Sequence, residues 1–208
     1  MKTVGQHNLA DITMAMGATG SGKSLFVKSD LKKDKPKRLM VWDFKREYGA
    51  FGTVCTSLVE VMHLARGHTF KIVFQPSRNP KIAKHDFDIF CQIAFAAKRL
   101  TFTGEELAFV TTASWAPVGW TMLVLAGRSE ALTIYCTSQR PACIDKDVFS
   151  NSSRIRTGRL NFDDDIRTMA RAVKVKPEQV ELLLPLQYIE RDLNSQKVTT
   201  GTIKIPRR

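Results

Sequence analysis

The chain has 208 residues, 43% hydrophobic and 25% charged, which fits one soluble globular domain and excludes wholesale disorder, collagen-like repeats and a multi-span membrane protein. Lys and Arg exceed Asp and Glu by 32 to 20, a formal charge of +12, so a polyanionic companion is expected: nucleic acid, nucleotide phosphates or anionic lipid. Cys55, Cys91, Cys136 and Cys143 form no C-x-x-C pair, and His7, His63, His68 and His85 complete no zinc spacing, which points to reduced thiols in an intracellular setting.

Met1 to Ala10 has one Lys and no apolar run, so no secretory signal is expected. Asp11 to Met16 reads as a short strand ending in glycines, Lys23 to Lys32 as a helix, and Arg38 to Asp43 as a second apolar strand after the breaker Lys35-Pro36. The alternation continues with a helix near Ser57 to Arg66, a strand at Phe70 to Phe74 and a loop broken by Pro76 and Pro80. Next come a helix at Lys84 to Arg99, a strand at Leu100 to Leu107, a helix at Pro117 to Arg128 and a strand at Leu132 to Thr137. Such alternation predicts an α/β fold with a mainly parallel central sheet flanked by helices on both faces. Leu107 to Gly127 is uncharged over a membrane-spanning length, yet its Thr, Ser, Pro and Gly content reads as a loop followed by a short buried helix, so no transmembrane segment is expected. After Asn161 helices are predicted at Asp163 to Val173 and Pro177 to Leu184, then strands at Gln187 to Arg191 and Lys197 to Ile205. Residues 161–208 are expected as an extension of the same single domain, packed on a core of residues 1–160.

Gly17-Ala18-Thr19-Gly20-Ser21-Gly22-Lys23-Ser24 matches the phosphate-loop pattern G-x-x-x-x-G-K-[ST] in full, after a strand and before a helix that continues with Leu25. Glycines let successive N–H groups face one concavity, Lys23 reaches the outer phosphates of ATP, and Ser24 is expected to hold Mg2+. Such a site also needs a carboxylate for the metal shell and a base to align water. Glu105 and Glu106, adjoining at a strand end, are expected in those respective roles, in place of the commoner Asp-Glu pair. Gln139, after the strand Leu132 to Thr137, belongs beside the phosphate crevice of this sheet type, where it senses the γ-phosphate or positions water.

With these pieces in order the sequence resembles the FtsK–HerA superfamily of P-loop ATPases, and most closely the genome-packaging ATPases of tailless icosahedral viruses with an internal membrane. The similarity spans about Met14 to Asn151: the phosphate loop GATGSGKS, the second-strand end WDFKREYG, the acidic EELAFVT, and the block LAGRSEALTIYCTSQRPACIDKDVFSN. It implies a RecA-like fold, ATP hydrolysis with Mg2+, assembly into a ring of five or six copies, and nonspecific movement of DNA into a preformed capsid. It also implies capsid-vertex or membrane-protein partners, and residence in the infected host cytoplasm and at the packaging vertex of the virion. Where the family commonly has Arg-Gly-Arg this chain has Ala126-Gly127-Arg128, so Arg128 is the arginine carried over as a finger reaching a neighbour's nucleotide, with Arg154 and Arg156 as rivals.

Other readings share these residues: a filamentous-phage assembly or conjugation ATPase on the same fold, a small-molecule phosphotransferase, and a nucleotide-binding scaffold without turnover. Lys28, Lys32, Lys33, Lys35, Lys37 and Arg38 crowd the region after the phosphate-loop helix, and Arg207-Arg208 end the sequence, a total charge suited to a phosphate backbone. Trp115 and Trp120 flank Pro117 and are expected to pack under a loop, with base stacking as the alternative.

Overall fold

A computed structural model describes residues 11–205; the readings of Met1 to Ala10, His7 among them, and of Arg207-Arg208 lie outside it. The chain runs β1 (Asp11–Met16), α1 (Lys23–Asp34), β2 (Arg38–Trp42), β3 (Thr53–Cys55), α2 (Leu58–Ala65), β4 (Phe70–Phe74), α3 (Pro80–Ala97), β5 (Thr101–Gly104), α4 (Val118–Ala126) and β6 (Thr133–Ser138). It continues with α5 (Asp147–Asn151), β7 (Arg154–Thr157), α6 (Asp163–Val173), α7 (Pro177–Glu181), β8 (Gln187–Asp192) and β9 (Val198–Thr202). One sheet holds all nine strands in the order β3-β4-β2-β5-β6-β1-β7-β8-β9. The first seven are parallel, and β8 and β9 add an antiparallel hairpin at one edge. The predicted parallel α/β sheet is borne out.

The strands alternate as a two-sided sheet requires. Ile12, Met14 and Met16 of β1, Met40 and Trp42 of β2, and Ile134 and Cys136 of β6 face a large core covered by α2 to α7. Ala15, Leu39, Val41, Val73 and Tyr135 face the other way, onto Phe26, Val27 and Leu31 of α1. Beneath the thick layer Trp42, Phe74, Phe87, Phe90, Phe102 and Trp120 form an aromatic cluster, with Phe87 4.9 Å from Trp42 and 5.7 Å from Trp120 between ring centroids. Phe87→Ala is expected to cost about 3–5 kcal/mol, because the cavity lies among fixed rings; urea unfolding measures it.

Element ends differ from the sequence expectation for local reasons. The third helix starts at Pro80 rather than Lys84, because the Asn79 side chain accepts the Lys81 N–H (3.0 Å) and Pro80 suits the first turn. β5 stops at Gly104, well short of Leu107, because Glu106 takes a left-handed conformation (φ 57°) and turns the chain out of the sheet. β3 and β7 were not expected at all. Trp120 is fully buried, with its indole N–H on Asp145 (3.2 Å), whereas Trp115 is 48% exposed and does not pack under a loop.

Candidate nucleotide site

Residues 17–24 leave the carboxyl end of β1 and enter α1. Gly22 sits at φ 90°, a left-handed turn that lets the helix begin at Lys23. A Cβ at Gly22 would run into Ile203 and Leu186, so the tail hairpin presses on the outside of the loop. The inside is held from β6 and β7: Gly17 N–H donates to Ser138 O (3.2 Å) and Ala18 N–H to Arg159 O (2.7 Å). The N–H groups of Gly20 and Gly22 have no acceptor among the described residues, as donors kept for a bound anion would. Lys23 is buried and its Nζ donates to Gly17 O (2.5 Å) and Ala18 O (3.0 Å). Burial, then the charge of Lys45, pulls its pKa down to about 8 against the opposing pull of Glu106, Glu105 and Glu47. A buried cation over donors suits a polyphosphate.

The strand order decides what meets this loop. β6 lies between β1 and β5, so Gln139 at its end stands between the phosphate loop and the two glutamates. Thr19 Oγ1 donates to Gln139 Oε1 (2.8 Å), while Gln139 donates its backbone N–H to Glu106 Oε1 (2.9 Å) and its side-chain amide to Glu106 Oε2 (3.0 Å). Lys45 Nζ pairs with the same Oε2 at 2.9 Å. Burial pushes the Glu106 carboxyl up, but the bonds from Gln139 and Lys45 together hold it below the ordinary glutamate value. Glu106 borders a cleft of about 360 Å³ shared with Ala18, Gln139, Phe109 and Phe162.

Glu105 is in a different state. It is 1% exposed, its Oε2 accepts the Lys45 N–H (2.9 Å), and its Oε1 has no partner among the described residues. Burial raises its pKa to about 7, opposed by the Lys45 N–H and charge and assisted by Glu47 and Asp43. Between the ordinary 4.5 and about 7 the folded chain therefore keeps a proton that the unfolded chain releases, so stability falls as pH rises through that window and levels off above it. Glu105→Gln is expected to remove that fall, measured as urea unfolding at a series of pH values. The Ser24 hydroxyl at the head of α1 and the unpartnered Glu105 oxygen fit the hard-oxygen donor set of Mg2+.

The arginines separate. Arg154 is spent on Asp30 (2.8 Å) and Thr13, and Arg156 on Glu190 (2.7 Å) between the rings of Phe26 (3.6 Å) and Tyr188 (3.8 Å). Arg128 is exposed, in the turn between α4 and β6, at the amino end of the strands and away from its own phosphate loop. Arg140 ties the exit of β6 to the buried Asp165 (2.7 Å) at the start of α6. Sequence reasoning missed Lys45, which touches both glutamates, and Asp43, whose oxygens accept the N–H groups of Glu47 (2.7 Å) and Tyr48 (3.1 Å) and fix the turn that carries Lys45. The signal was present in WDFKREYG, a charged turn at the end of an apolar strand.

No family model matches the chain. Protein P9 of Pseudoalteromonas phage PM2 is 27% identical over 174 residues, 82% of this chain and 78% of that protein. The genome packaging NTPase B204 from Sulfolobus turreted icosahedral virus 2, in complex with AMPPCP, superposes with a TM-score of 0.76 at 19% identity, over 94% of this chain and 98% of that one. The chain has the fold of the viral genome-packaging NTPases. The bacterial conjugative coupling protein TrwBdeltaN70 also matches, with a TM-score of 0.67 at 11% identity over 94% of this chain and 86% of that one. The resemblance drawn from the motifs is thus borne out: a packaging NTPase and a conjugative coupling protein share this fold.

Proposed function

We propose that the protein is the ATP-driven motor that packages a viral genome, a ring of identical subunits moving DNA without regard to sequence. The observation that carries this is the Gln139 bridge: one side chain joins Thr19 of the phosphate loop to Glu106, so an event at the outer phosphate alters the bonds on the base. The fold likeness to B204 supports the packaging role.

In this reading the loop N–H groups and Lys23 bind the phosphates of ATP, and Ser24 with Glu105 would hold Mg2+. The ion held there would supply charge neutralisation for the polyphosphate. Glu106, released from Gln139 or Lys45, accepts a proton from the attacking water. Gln139 reports the γ-phosphate, and an exposed Arg128 from the neighbouring subunit stabilises charge on the transferring group. Capsid or membrane proteins at the packaging vertex would anchor the ring.

The deciding experiment is displacement of a triplex-forming oligonucleotide from duplex DNA of arbitrary sequence. Displacement with ATP and none with a non-hydrolysable analogue is expected; ATP hydrolysis without displacement would refute translocation. Within the same assay Lys23→Ala is expected to lower turnover by about 10²–10³, the usual worth of a charged donor aimed at the transition state, and steady-state phosphate release measures it.

A further inference from the structure

The two ends of the parallel sheet differ in charge. At the carboxyl end, where the candidate nucleotide site lies, residues 17–24, 43–52, 75–80, 105–117, 139–147 and 158–163 contain seven Lys and Arg and seven acids. At the amino end, on the side of β4, β2 and β5, residues 32–38, 66–69 and 98–101 contain eight Lys and Arg and one acid, the larger part of the chain's +12. The excess surrounds a groove of about 430 Å³ at the starts of β2, β4, β5 and β6, lined by Lys37, Arg38, His68 and Arg99 with the polar Thr69 and Thr133. No carboxylate of the described residues lines it.

The groove is constructed rather than incidental. Arg38 stacks on Phe70 at 4.4 Å and donates to Gly67 O (2.7 Å), His68 O (3.1 Å) and Ala97 O (2.8 Å). It thereby ties the loop between α2 and β4 and the end of α3 to the start of β2, and it has no acidic partner among the described residues. Four non-glycine residues here, Lys35, Lys98, Arg99 and Ala131, have left-handed φ between 46° and 56°. Such conformations cost of order 1–3 kcal/mol each and persist where the surroundings impose them. Arg99 is fixed by its N–H on Glu130 O (2.9 Å), which presents its side chain at the rim.

We infer that this amino-end groove is a phosphate-backbone site for nucleic acid, separate from the nucleotide site and on the opposite end of the sheet. The inference rests on the DNA-handling reading above. Strands lie about 4.8 Å apart, so a groove from β4 to β6 is about 14 Å wide. A nucleic-acid strand places one phosphate about every 3.4 Å along the helix axis, so roughly four phosphates pass across it. Threonine hydroxyls and cations without base-reading geometry suit sequence-independent contact. A membrane face is a poorer fit, because none of the exposed large apolar side chains among the described residues lies in it.

The test is the affinity for a labelled random-sequence 30-bp duplex, titrated at several salt concentrations. The groove variant is Lys37→Gln with Arg99→Asn, Asn being suited to the left-handed backbone. The control is Lys197→Gln with Lys204→Gln, which removes the same charge from exposed positions in the tail. The groove variant is expected to lose at least about tenfold in affinity at 0.1 M salt and to reduce the salt slope by about 2, while the control stays within about twofold. Thr69→Glu, a carboxylate added to the groove, is expected to weaken binding as well and serves if the double variant misfolds. Equal losses in groove variant and control, or wild-type affinity in the groove variants, would overturn the site and leave the DNA reading standing. Loss of binding to vesicles containing phosphatidylserine with unchanged DNA binding would make it a membrane site and overturn the proposal. A wild-type protein that binds no DNA at low salt would overturn both readings.

Discussion

Arg128→Ala is expected to lower ATP turnover by about 10³–10⁵-fold, the range that an arginine supplied by a neighbouring subunit contributes to phosphoryl transfer. Arg154 and Arg156 are tied to Asp30 and Glu190, so reaching another subunit would first require breaking charge pairs. Arg128 is exposed, has no salt bridge among the described residues, and lies too far round the sheet to serve its own phosphate loop. A mixture of two inactive proteins decides its role. In a ring containing Arg128→Ala and Glu106→Gln subunits, some interfaces pair an intact Glu106 with an intact Arg128, and partial turnover should return. If both variants assemble together and the mixture stays inactive at every ratio, Arg128 does not act in trans. Repeating the mixture with Arg154→Ala then identifies which arginine does.

Glu106→Gln is expected to reduce kcat by about 10²–10⁴-fold, the usual contribution of a general base, with little change in ATP affinity. Glu106 borders the cleft beside the phosphate loop, whereas Glu105 is buried with one oxygen on the Lys45 N–H and the other left for the metal. The amide of the variant keeps the shape but cannot take up the proton, and it also loses its ion pair with Lys45. Single-turnover hydrolysis with separate nucleotide titration measures the two quantities. Unchanged hydrolysis would transfer the base role to another group; parallel loss of binding and turnover would make Glu106 a structural anchor of the loop.

The strand–loop–helix that carries residues 17–24 was legible because its pattern is written in consecutive residues, and the same holds for the place of Gln139 at the end of an apolar strand. Lys45 was not, since its importance comes from β2 lying beside β5, a pairing that the local sequence does not encode. β7 was hidden for a related reason. Arg154 and Arg156 alternate with the buried Ile155, yet both are half-buried by ion pairs and aromatic stacking that form only after α1 and β8 are in place. β3, a three-residue edge strand, was too short to leave a pattern.

The central position of β1 has a consequence for how the molecule is made. Its partners are residues 133–138 and 154–157, both far downstream. Synthesis at about 5–20 residues per second leaves β1 waiting on the order of 10 s for the first of them. Through that interval Ile12, Met14 and Met16 have no strand to close on, although the segments supplying β2 to β5 have already emerged. Distant pairing of this kind is slow to close, so the nascent chain remains vulnerable to association through its own future centre until β6 and β7 arrive on either side of it.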